Sequence, residues 1–469
     1  MSRTTAEPPT TGPRPAYDDD VERAQQRAAA RRRMYRRRRI VVFGALAIVL
    51  ALLLGAGAYA ANALNAPIPT ATAVVTDPAP VVAPAQQVAG PGFGTWAIGA
   101  VGFPGTLAQS EDQSPLPSAS ITKVITSLVI LDRNPIAPGE EGPSIAYTDD
   151  DVDIYWDMVA QNGSVAPVPA GSSLTLKQSL ETMLLPSGNN YAISLSNWAF
   201  GSEQGLVDAA RGWLDAHGLV HTTIADASGL SLENTSTPTD LVQLGQLALA
   251  DPVLAEIVAM KSAEIPGVGT VTNSNKLLGT HGVDGIKTGT TDDAANLLFS
   301  ADYPVGATSV TVVGVVLGAE THAVLNDAIA TMLDSVAPGF HEVQALAAGQ
   351  ELASYAQPWG QTAVARARDG ASVVVWSDTP VDVEVQVDDL TLATDDSEVG
   401  TAIVHAGDQQ LTVPIVLDGS FEDPGAWWRL QNPGGLDPVQ SSAGARGAAT
   451  ISSSTSSTSS TSPVVAPAA

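Results

Sequence analysis

The sequence of 469 residues lacks cysteine altogether, and aromatic residues make up only 5% of it. Without cysteine there is no thiol nucleophile, no disulfide framework and no cysteine metal site. Basic residues are also scarce, at 22 lysines and arginines against 49 aspartates and glutamates, for a formal charge of −27. This balance argues against nucleic acid as the main partner, because phosphate binding needs clustered cations. The length leaves room for two or three domains.

Charge is missing completely from one stretch, Ile40 to Ala61, which separates two parts of opposite charge. Residues 1–61 carry 11 of the 22 basic and five of the 49 acidic residues, so the rest of the chain has 11 basic against 44 acidic ones. An uncharged helix of this length can cross a hydrocarbon core of about 30 Å. Directly before it lie seven arginines, namely Arg31, Arg32, Arg33, Arg36, Arg37, Arg38 and Arg39. Arginines beside a membrane span favour a cytosolic N-terminus.

We therefore predict an Arg-rich, disordered cytosolic tail over 1–39 and a transmembrane anchor over 40–61. The protein would then be a single-pass protein of the cell membrane, with its remaining residues outside the cytoplasm. The alternative is a cleaved signal peptide and secretion, because Ala58-Tyr59-Ala60 has the small-x-small form of a cleavage site. The long N-terminal region and the long apolar core favour the uncleaved anchor.

The exported part divides by composition into four segments. Pro- and Ala-rich residues over 62–90 predict a semi-extended spacer that holds the folded part off the membrane. From 91 to 345, helical patterns alternate with strand-like runs such as Ser309 to Leu317, which predicts an α+β domain with antiparallel strands. Short β-type runs over 346–430 predict a small β-rich domain. The Ser/Thr-rich residues 431–469 predict a disordered tail.

Among the five lysines of the exported part, only Lys123 has a serine, Ser120, three residues before it. On a helix these two side chains project from the same face, so the hydroxyl and the amine can meet. Pro117, Ser118 and Ala119 precede the helical pattern and place Ser120 near the helix N-terminus, where free N–H groups favour a developing oxyanion. A desolvated neutral lysine can take the proton of a serine and make it a nucleophile. The same pattern also arises by chance on solvated helix faces.

Two further motifs occur once each in the chain. Ser187-Gly188-Asn189 lies where a helical pattern breaks, so its side chains can point into a cleft, although these residue types are also typical of a capping turn. Lys287-Thr288-Gly289 is the only Lys-Thr-Gly, and by itself it fits an edge-strand lysine that enters a turn. Together with the Ser120–Lys123 pair, these motifs form an ordered set.

This set resembles the serine penicillin-recognising enzymes, that is penicillin-binding proteins and serine β-lactamases, and most of all the low-molecular-weight D-alanyl-D-alanine carboxypeptidases. The closer resemblance lies in Pro117–Thr126 (PSASITKVIT), Leu174–Ala192 (LTLKQSLETMLLPSGNNYA), Asp226–Leu230 (DASGL) and Asn273–Thr291 (NSNKLLGTHGVDGIKTGTT). It implies a β-lactamase/transpeptidase-like domain, with an antiparallel sheet, flanking helices and a helical subdomain. The family's small C-terminal β-domain would follow, a part that matches here by position and not by motif.

The resemblance also implies a reaction. Ser120 would attack the carbonyl of the terminal D-Ala–D-Ala bond of a peptidoglycan stem peptide, with Lys123 as general base, to form an acyl-enzyme and release D-alanine. Ser187 would relay a proton to the leaving amine, and Asn189 would hold the substrate peptide and orient Lys123. β-Lactams would acylate Ser120 in the same way and act as covalent inhibitors.

The third motif would bind the end of the substrate. Lys287, with the hydroxyls of Thr288 and Thr290, would hold the free carboxylate, and Gly289 would let the strand lie close to the substrate. The backbone N–H groups of Ser120 and Thr290 would form the oxyanion hole. Two lysines near one site lower each other's pKa, which helps to keep Lys123 neutral. This chemistry needs no metal and no organic cofactor.

Two alternatives share the resemblance. A class A-like β-lactamase would need Glu-x-x-x-Asn to activate a deacylating water, but Glu233 is followed at once by Asn234, and Thr237 stands where the asparagine belongs. A catalytically weak cell-wall scaffold protein is the other alternative, because Thr290 stands where family members commonly carry a bulky residue. A Ser-His-Asp hydrolase finds no support, since Gly-x-Ser-x-Gly does not occur and the histidines lie in no catalytic or metal-binding motif.

Overall fold

The computed structural model describes residues 17–433, and the side chains from residue 21 onward. In this part the α-helices, α1 to α10 in chain order, are Tyr17–Asn65, Thr122–Arg133, Asp149–Ala160, Leu176–Leu184, Asn189–Phe200, Glu203–Ala216, Pro238–Ala250, Pro252–Ala259, His322–Val336 and Gly425–Gln431. The strands, β1 to β19, are Val74–Val75, Thr95–Ala100, Ala108–Gln109, Leu116–Pro117, Ser144–Ala146, Ser173–Thr175, Thr235–Ser236, Ser262–Ile265, Gly269–Thr272, Val283–Thr290, Ala295–Val305, Thr308–Ala319, Phe340–Leu346, Glu351–Ala356, Thr362–Ala367, Ala371–Trp376, Val381–Val387, Glu398–Ala406 and Gln409–Asp418. Short 3-10 turns cover Ala119–Ile121 and Ala337–Gly339.

A five-stranded antiparallel sheet in the order β10-β11-β12-β2-β3 forms the centre of the region predicted to be α+β. Its middle strand, β12, contains the predicted run Ser309 to Leu317 and has a neighbour on each side. Successive side chains of a strand point to opposite faces. Val313 accordingly packs in the core that includes α7 and α8, whereas Val312 packs in the core that includes α9. The predicted α+β class with antiparallel strands is confirmed.

Helices α2 to α6 form a helical layer beside this sheet. Every residue from Thr122 to Leu131 of α2 is buried, because α2 packs against α4, α5, α6 and α7. The polar members of α2 find partners inside the fold: Thr126 Oγ1 donates to the Ala227 carbonyl, and Ser127 Oγ donates to the Lys123 carbonyl. The 3-10 turn before α2 lies against β10. Ser120 is therefore placed between the helical layer and the edge strand of the sheet.

The C-terminal region folds as the predicted small β-rich unit. Its six-stranded antiparallel sheet has the order β1-β14-β15-β19-β18-β17, and β13 pairs with β16 in a separate ladder. Its core is apolar, with alanine, valine, leucine and isoleucine side chains such as Ala365, Val404 and Ile415. β13 crosses the boundary predicted between residues 345 and 346.

The residues predicted to form a semi-extended spacer, 62–90, are not separate from the folded part. Residues 62–65 complete α1, and residues 66–90, which we call the strap, run along the β-rich region. Ala71 exchanges two backbone hydrogen bonds with Leu390, and β1 pairs with β14. Farther on, the Gln86 N–H donates to Ser377 Oγ over 2.8 Å. The extended backbone that prolines favour still offers the N–H and C=O groups of other residues, and these pair with an open sheet edge.

Helix α1 is longer than the predicted anchor. It begins at Tyr17, so the predicted disorder over 1–39 is wrong for 17–39, where alanine, arginine and glutamine favour a helix and proline and glycine are absent. The rest of that predicted tail, and residues 434–469 of the predicted C-terminal tail, lie outside the described residues. Among the described residues α1 is the one straight helix long and apolar enough to cross a membrane, as an anchor or as a signal sequence.

The end of α1 contacts the short helix α10. Arg429 donates from Nη1 to the carbonyl oxygens of Leu64 and Ala66, each over 3.1 Å. The Tyr59 hydroxyl donates to the Leu430 carbonyl over 2.7 Å. Because the last carbonyl groups of a helix have no partner within it, the Arg429 guanidinium completes the end of α1.

Candidate active site

The predicted pair Ser120 and Lys123 meets in the structure. Ser120 lies in the 3-10 turn that leads into α2, and Lys123 lies on the first turn of α2, so the local helical geometry brings both side chains to one side. Lys123 Nζ is 2.9 Å from Ser120 Oγ. The lysine side chain is fully buried, whereas Ser120 is partly accessible. A substrate can therefore reach the hydroxyl while the amine stays away from water.

Two further acceptors surround the Lys123 amine. Lys123 Nζ donates to Asn189 Oδ1 and to the Ser228 carbonyl, each over 2.6 Å. Burial holds the pKa of Lys123 well below its ordinary value, and the positive charge of Lys287 lowers it further. The Asp226 carboxylate opposes both effects by raising the pKa of Lys123. Burial is the largest of these three effects, so the surroundings favour a neutral amine.

The loop that carries Ser228 is organised by the Asp226 carboxylate. Asp226 accepts hydrogen bonds from the backbone N–H groups of Ser228, Gly229 and Ser231, and from the side chain of Asn234. Burial raises the pKa of Asp226, but the hydrogen bonds from Ser231, Ser228 and Asn234 outweigh it and hold this pKa below its ordinary value. The loop belongs to the DASGL stretch, and its hydrogen bonds fix the position of the carbonyl that meets Lys123.

Two glycines let the backbone pack tightly around the turn that carries Ser120. Gly229 has a φ of 81°, and a Cβ there would lie 1.9 Å from the Ala119 carbonyl oxygen. A Cβ on Gly289 would lie 2.7 Å from the Ser118 carbonyl oxygen. Gly289 thus allows close approach to the turn that carries Ser120, whereas the prediction assigned its lack of a side chain to the substrate. This packing holds the end of β10 against the 3-10 turn that carries Ser120.

The Ser187-Gly188-Asn189 motif lies where α4 gives way to α5. Asn189 is the first residue of α5 and is buried, and its backbone N–H donates to the Ser164 carbonyl over 2.8 Å. Ser187 is also buried, in a left-handed conformation with a φ of 67°. Among the described residues, Asn189 contacts Lys123 directly, whereas no hydrogen bond joins Ser187 to either lysine of the site.

The Lys-Thr-Gly motif lies on the edge strand β10. Lys287 is buried, and its Nζ donates to the carbonyl and to Oγ1 of Thr288, over 3.2 and 3.3 Å. Burial lowers the pKa of Lys287 to about 7. The Thr288 hydroxyl is also 2.6 Å from Ser274 Oγ. Lys287 therefore brings a second amine of reduced basicity to the site, and its charge acts on Lys123.

Thr290, at the end of β10, faces a histidine that no motif pointed to. Thr290 Oγ1 and His322 Nε2 are hydrogen-bonded over 2.8 Å. His322 is the first residue of α9, and its ring is partly buried. Burial lowers the pKa of His322, and the charge of Lys287 lowers it further. The site thus contains two lysines and one histidine whose charged forms are all disfavoured.

The sequence profile of the peptidase S11 family, described as D-alanyl-D-alanine carboxypeptidase, matches residues 105–321. The D-alanyl-D-alanine carboxypeptidase DacB2 of Mycobacterium tuberculosis is 30% identical over 213 residues, which are 44% of this chain and 69% of that protein. The chain belongs to this family. DacC of Escherichia coli is 29% identical over 225 residues, 46% of this chain and 54% of that protein, so the chain spans about half the length of this relative. A D-alanyl-D-alanine endopeptidase of Pseudomonas aeruginosa is 30% identical over 141 residues, 30% of this chain and 42% of that protein.

Solved structures agree with this membership at the level of the fold. The D-alanyl-D-alanine carboxypeptidase DacD of Francisella tularensis aligns with a TM-score of 0.50 at 18% identity, over 71% of this chain and 94% of that one. A peptidoglycan synthesis regulatory factor (PBP3) of Streptococcus pneumoniae aligns with a TM-score of 0.52 at 20% identity, over 71% of this chain and all of that one. The predicted transpeptidase-like fold with a C-terminal β-rich unit is confirmed.

In this member of the S11 family, several groups that contact the motif residues are not indicated by any sequence pattern. Asn296 Nδ2 donates to the Pro117 carbonyl over 2.9 Å, and its Oδ1 accepts from the Gly318 N–H, which ties the segment before Ser120 to the sheet. Ser228 acts through a backbone carbonyl, which no side-chain pattern can reveal. His322 lies 35 residues after Lys287, and only the pairing of α9 with the end of β10 brings it near.

Proposed function

We propose that this protein is a serine-type D-Ala-D-Ala carboxypeptidase that removes the terminal D-alanine from peptidoglycan stem peptides. The observation that carries the proposal is the buried amine of Lys123, 2.9 Å from the partly accessible hydroxyl of Ser120. The family contains carboxypeptidases and endopeptidases among the relatives described above. The proposal selects the carboxypeptidase because Lys287 is a second buried amine whose charge acts on Lys123, and its protonated form can bind a free carboxylate.

The hydrogen bonds of Lys123 support its role as general base. A neutral amine has two N–H groups and one lone pair. Asn189 Oδ1 and the Ser228 carbonyl are both acceptors, so they take the two N–H groups. The lone pair is then left for the proton of the Ser120 hydroxyl. Asn189 and Ser228 thus orient the amine for proton transfer before a substrate arrives.

The reaction then follows the geometry. Ser120 Oγ bonds to the carbonyl carbon of the scissile amide while its proton passes to Lys123. The oxyanion lies between the N–H groups of Ser120 and Thr290, at the helix entry and the end of β10. Ser187 passes a proton to the nitrogen of D-alanine, which leaves as the C–N bond breaks. Water then hydrolyses the ester on Ser120.

The other end of the substrate is held by the third motif. Lys287, with the hydroxyls of Thr288 and Thr290, binds the carboxylate of the terminal D-alanine, and Asn189 holds the peptide. The pKa of Lys287, lowered by burial to about 7, rises again when the negative charge of the carboxylate comes close. β-Lactams, which carry a carboxylate beside a reactive amide, acylate Ser120 by the same route.

The structure also bears on the alternatives. Glu233 is exposed to solvent, which does not suit a base that activates a deacylating water in a closed site. The intact set of Ser120, Lys123, Asn189 and Lys287, with both amines buried, argues for an enzyme and against a scaffold protein. Burying amines costs stability, and a scaffold has no use for them.

The deciding experiment is labelling with a fluorescent penicillin, followed by detection of D-alanine released from a pentapeptide ending in D-Ala–D-Ala. We expect covalent label and D-alanine release from the wild type and neither from Ser120→Ala. Ser194→Ala is the matched control, since Ser194 is a buried serine whose hydroxyl has no partner among the described residues. Label on Ser120→Ala would overturn the nucleophile, and label without D-alanine release would favour the scaffold.

We further propose that α1 stays attached as a membrane anchor with its arginine-rich end in the cytosol. The hydrogen bond from Tyr59 to the Leu430 carbonyl supports this, because cleavage after Ala60 would remove Tyr59 from the folded protein. The mass of the protein from the membrane fraction tests the proposal. A product that begins at residue 61 would contradict it.

A further inference from the structure

The hydrogen bond between Thr290 and His322 joins two elements at the carboxylate end of the site. Thr290 ends the edge strand β10, and His322 begins α9, which packs on the opposite face of the sheet from α7 and α8. Through this 2.8 Å hydrogen bond the His322 ring contacts Thr290, the residue directly after the Lys-Thr-Gly motif. The position of the Thr290 hydroxyl therefore depends on this ring.

His322 also shares an electrostatic environment with Lys287. The charge of Lys287 lowers the pKa of His322, so the two cations disfavour each other. The carboxylates nearest in sequence, Asp292 and Asp293 on the turn after β10, Glu320 before α9 and Asp327 within α9, are exposed to solvent. Within the described residues, Lys287 is the charged group that perturbs the ring. We call the region between Lys287, Thr290 and His322 the corner. Without a ligand, the corner disfavours a second positive charge.

A bound carboxylate changes that balance. Its negative charge favours the protonated forms of Lys287 and His322, so both can take up a proton. An uncharged group in the same place, such as a primary amide or an ester, offers no such compensation. The corner thus contains the chemistry needed to distinguish a free acid from a neutral derivative of the same shape.

We propose that His322 is a positioning residue that, through its hydrogen bond to Thr290, makes the site select substrates with a free terminal carboxylate over neutral derivatives. This inference rests on the proposed function, since it assigns the carboxylate to the corner between Lys287 and Thr290. His322 lies outside the three motifs, and its role would be to distinguish free acids from neutral derivatives.

The test compares acids with matched neutral derivatives on the full-length protein in detergent. One pair is a diacyl-lysyl-D-Ala-D-Ala tripeptide and its C-terminal amide, followed by kcat/KM for release of the terminal residue. The other pair is a penicillin and its methyl ester, followed by the rate of acylation of Ser120. We expect His322→Gln to lower the rates of both acids about three- to tenfold and to leave the amide and the ester unchanged. His322→Arg, which keeps a cation, should retain the preference for acids.

His405→Gln is the control, because His405 lies on β18 in the β-rich region. An acid-to-neutral ratio that is the same in the wild type and in His322→Gln would overturn the inference. An equal loss for acids and neutral derivatives would also overturn it, since that result indicates a purely structural role. If the wild type is acylated but releases no D-alanine, the proposed function fails, and the penicillin pair still decides the role of His322. If the wild type is not acylated at all, both proposals fail.

Discussion

Residues 92–336 bury polar side chains throughout their core, whereas the described residues from 340 onward bury only Gln357, Ser377 and Arg429. In the first region the buried groups include the amines of Lys123 and Lys287, and the charge of Lys287 lowers the pKa of Lys123. In the second region the core is apolar. The buried cation of this region, Arg429, donates a hydrogen bond to the Leu64 carbonyl of α1. The two regions therefore differ in what they bury. The first buries amines, at a cost in stability, and burial lowers the pKa of Lys123 and Lys287. The second buries mainly apolar side chains.

The largest effect is expected when the buried amine of Lys123 is replaced by a side chain of similar volume. We expect Lys123→Met to lower the rate of penicillin acylation by about 10²- to 10⁴-fold, because the general base is lost while Ser120 and Lys287 remain. Lys261→Met is the control, since Lys261 is an exposed lysine. Stopped-flow acylation measures the effect. A decrease of less than about tenfold would mean that Lys123 is not the base.

A second prediction compares glycines of the two regions. Gly229→Ala places a Cβ 1.9 Å from the Ala119 carbonyl oxygen at a φ of 81°, so the backbone around Ser120 must move. We expect acylation to slow by about 10- to 100-fold, because small displacements of reacting groups are costly. Gly407→Ala, on the hairpin between β18 and β19 at a φ of 58°, has more room and should cost only about 1 kcal/mol of unfolding free energy, with acylation unchanged.

Equal acylation rates in Gly229→Ala and Gly407→Ala would contradict the tight packing around the turn that carries Ser120. Thermal unfolding of both variants separates a loss of geometry from a loss of fold. A Gly229→Ala protein that unfolds like the wild type but reacts slowly is the expected result.

The third prediction uses the lowered pKa of Lys287. Burial lowers this pKa to about 7, so without a ligand the charge that we propose for carboxylate binding is lost as the pH rises through 7. We expect kcat/KM for the tripeptide to fall by about tenfold per pH unit on the alkaline side. On the acid side, the rate falls as Lys123 gains a proton and ceases to be a base. The profile is therefore bell-shaped.

Lys287→Arg tests the assignment of the alkaline limb. An arginine stays charged, so the alkaline fall should disappear up to about pH 9 even if the maximal rate is lower. An alkaline limb that stays near pH 7 in Lys287→Arg would assign it to another group.

The smallest effect on catalysis is expected from a substitution in the β-rich region. Arg429→Met removes the hydrogen bonds to Leu64 and Ala66 and the salt bridge to Asp423, in which Nη2 and Oδ2 are 2.6 Å apart. We expect unchanged acylation, a loss of about 1–3 kcal/mol in unfolding free energy, and faster proteolysis near residue 66. Arg366→Met, which breaks an exposed pair with Asp418, should cost less than about 1 kcal/mol. Slower acylation in Arg429→Met would mean that the two regions are coupled.

What could be predicted from the sequence was mostly local. The spacing of Ser120 and Lys123 implied their contact because three residues are one turn of a helix, and β12 could be recognised from its run of β-branched residues. The Ser228 carbonyl and His322 could not be found this way. The first contact is made by a backbone atom 105 residues from Lys123, and the second depends on how α9 packs against the sheet.

The strap shows a different limit. A Pro- and Ala-rich segment has the same composition whether it is free in solvent or paired with a sheet edge, so composition cannot tell a linker from an edge strand. Only the partner decides, and here the partners are Ser354 and Leu390, far along the chain. Residues 17–39 show a related limit: their arginine-rich composition is typical of a disordered tail, yet alanine, arginine and glutamine also have high helix propensity, and the segment is helical.

The strap has a consequence for the membrane anchor that we propose. Even a fully flexible linker of 25 residues would have an average end-to-end distance of about 25–30 Å, and a Pro-rich one would reach farther, so a free segment would let the site move over a volume above the membrane. With residues 66–90 paired along the β-rich region and Arg429 bound to the end of α1, that freedom is lost. With α1 as the anchor that we propose, Ser120 and Lys123 would stay at one distance from the membrane, and the site would reach substrates only in the layer at that distance.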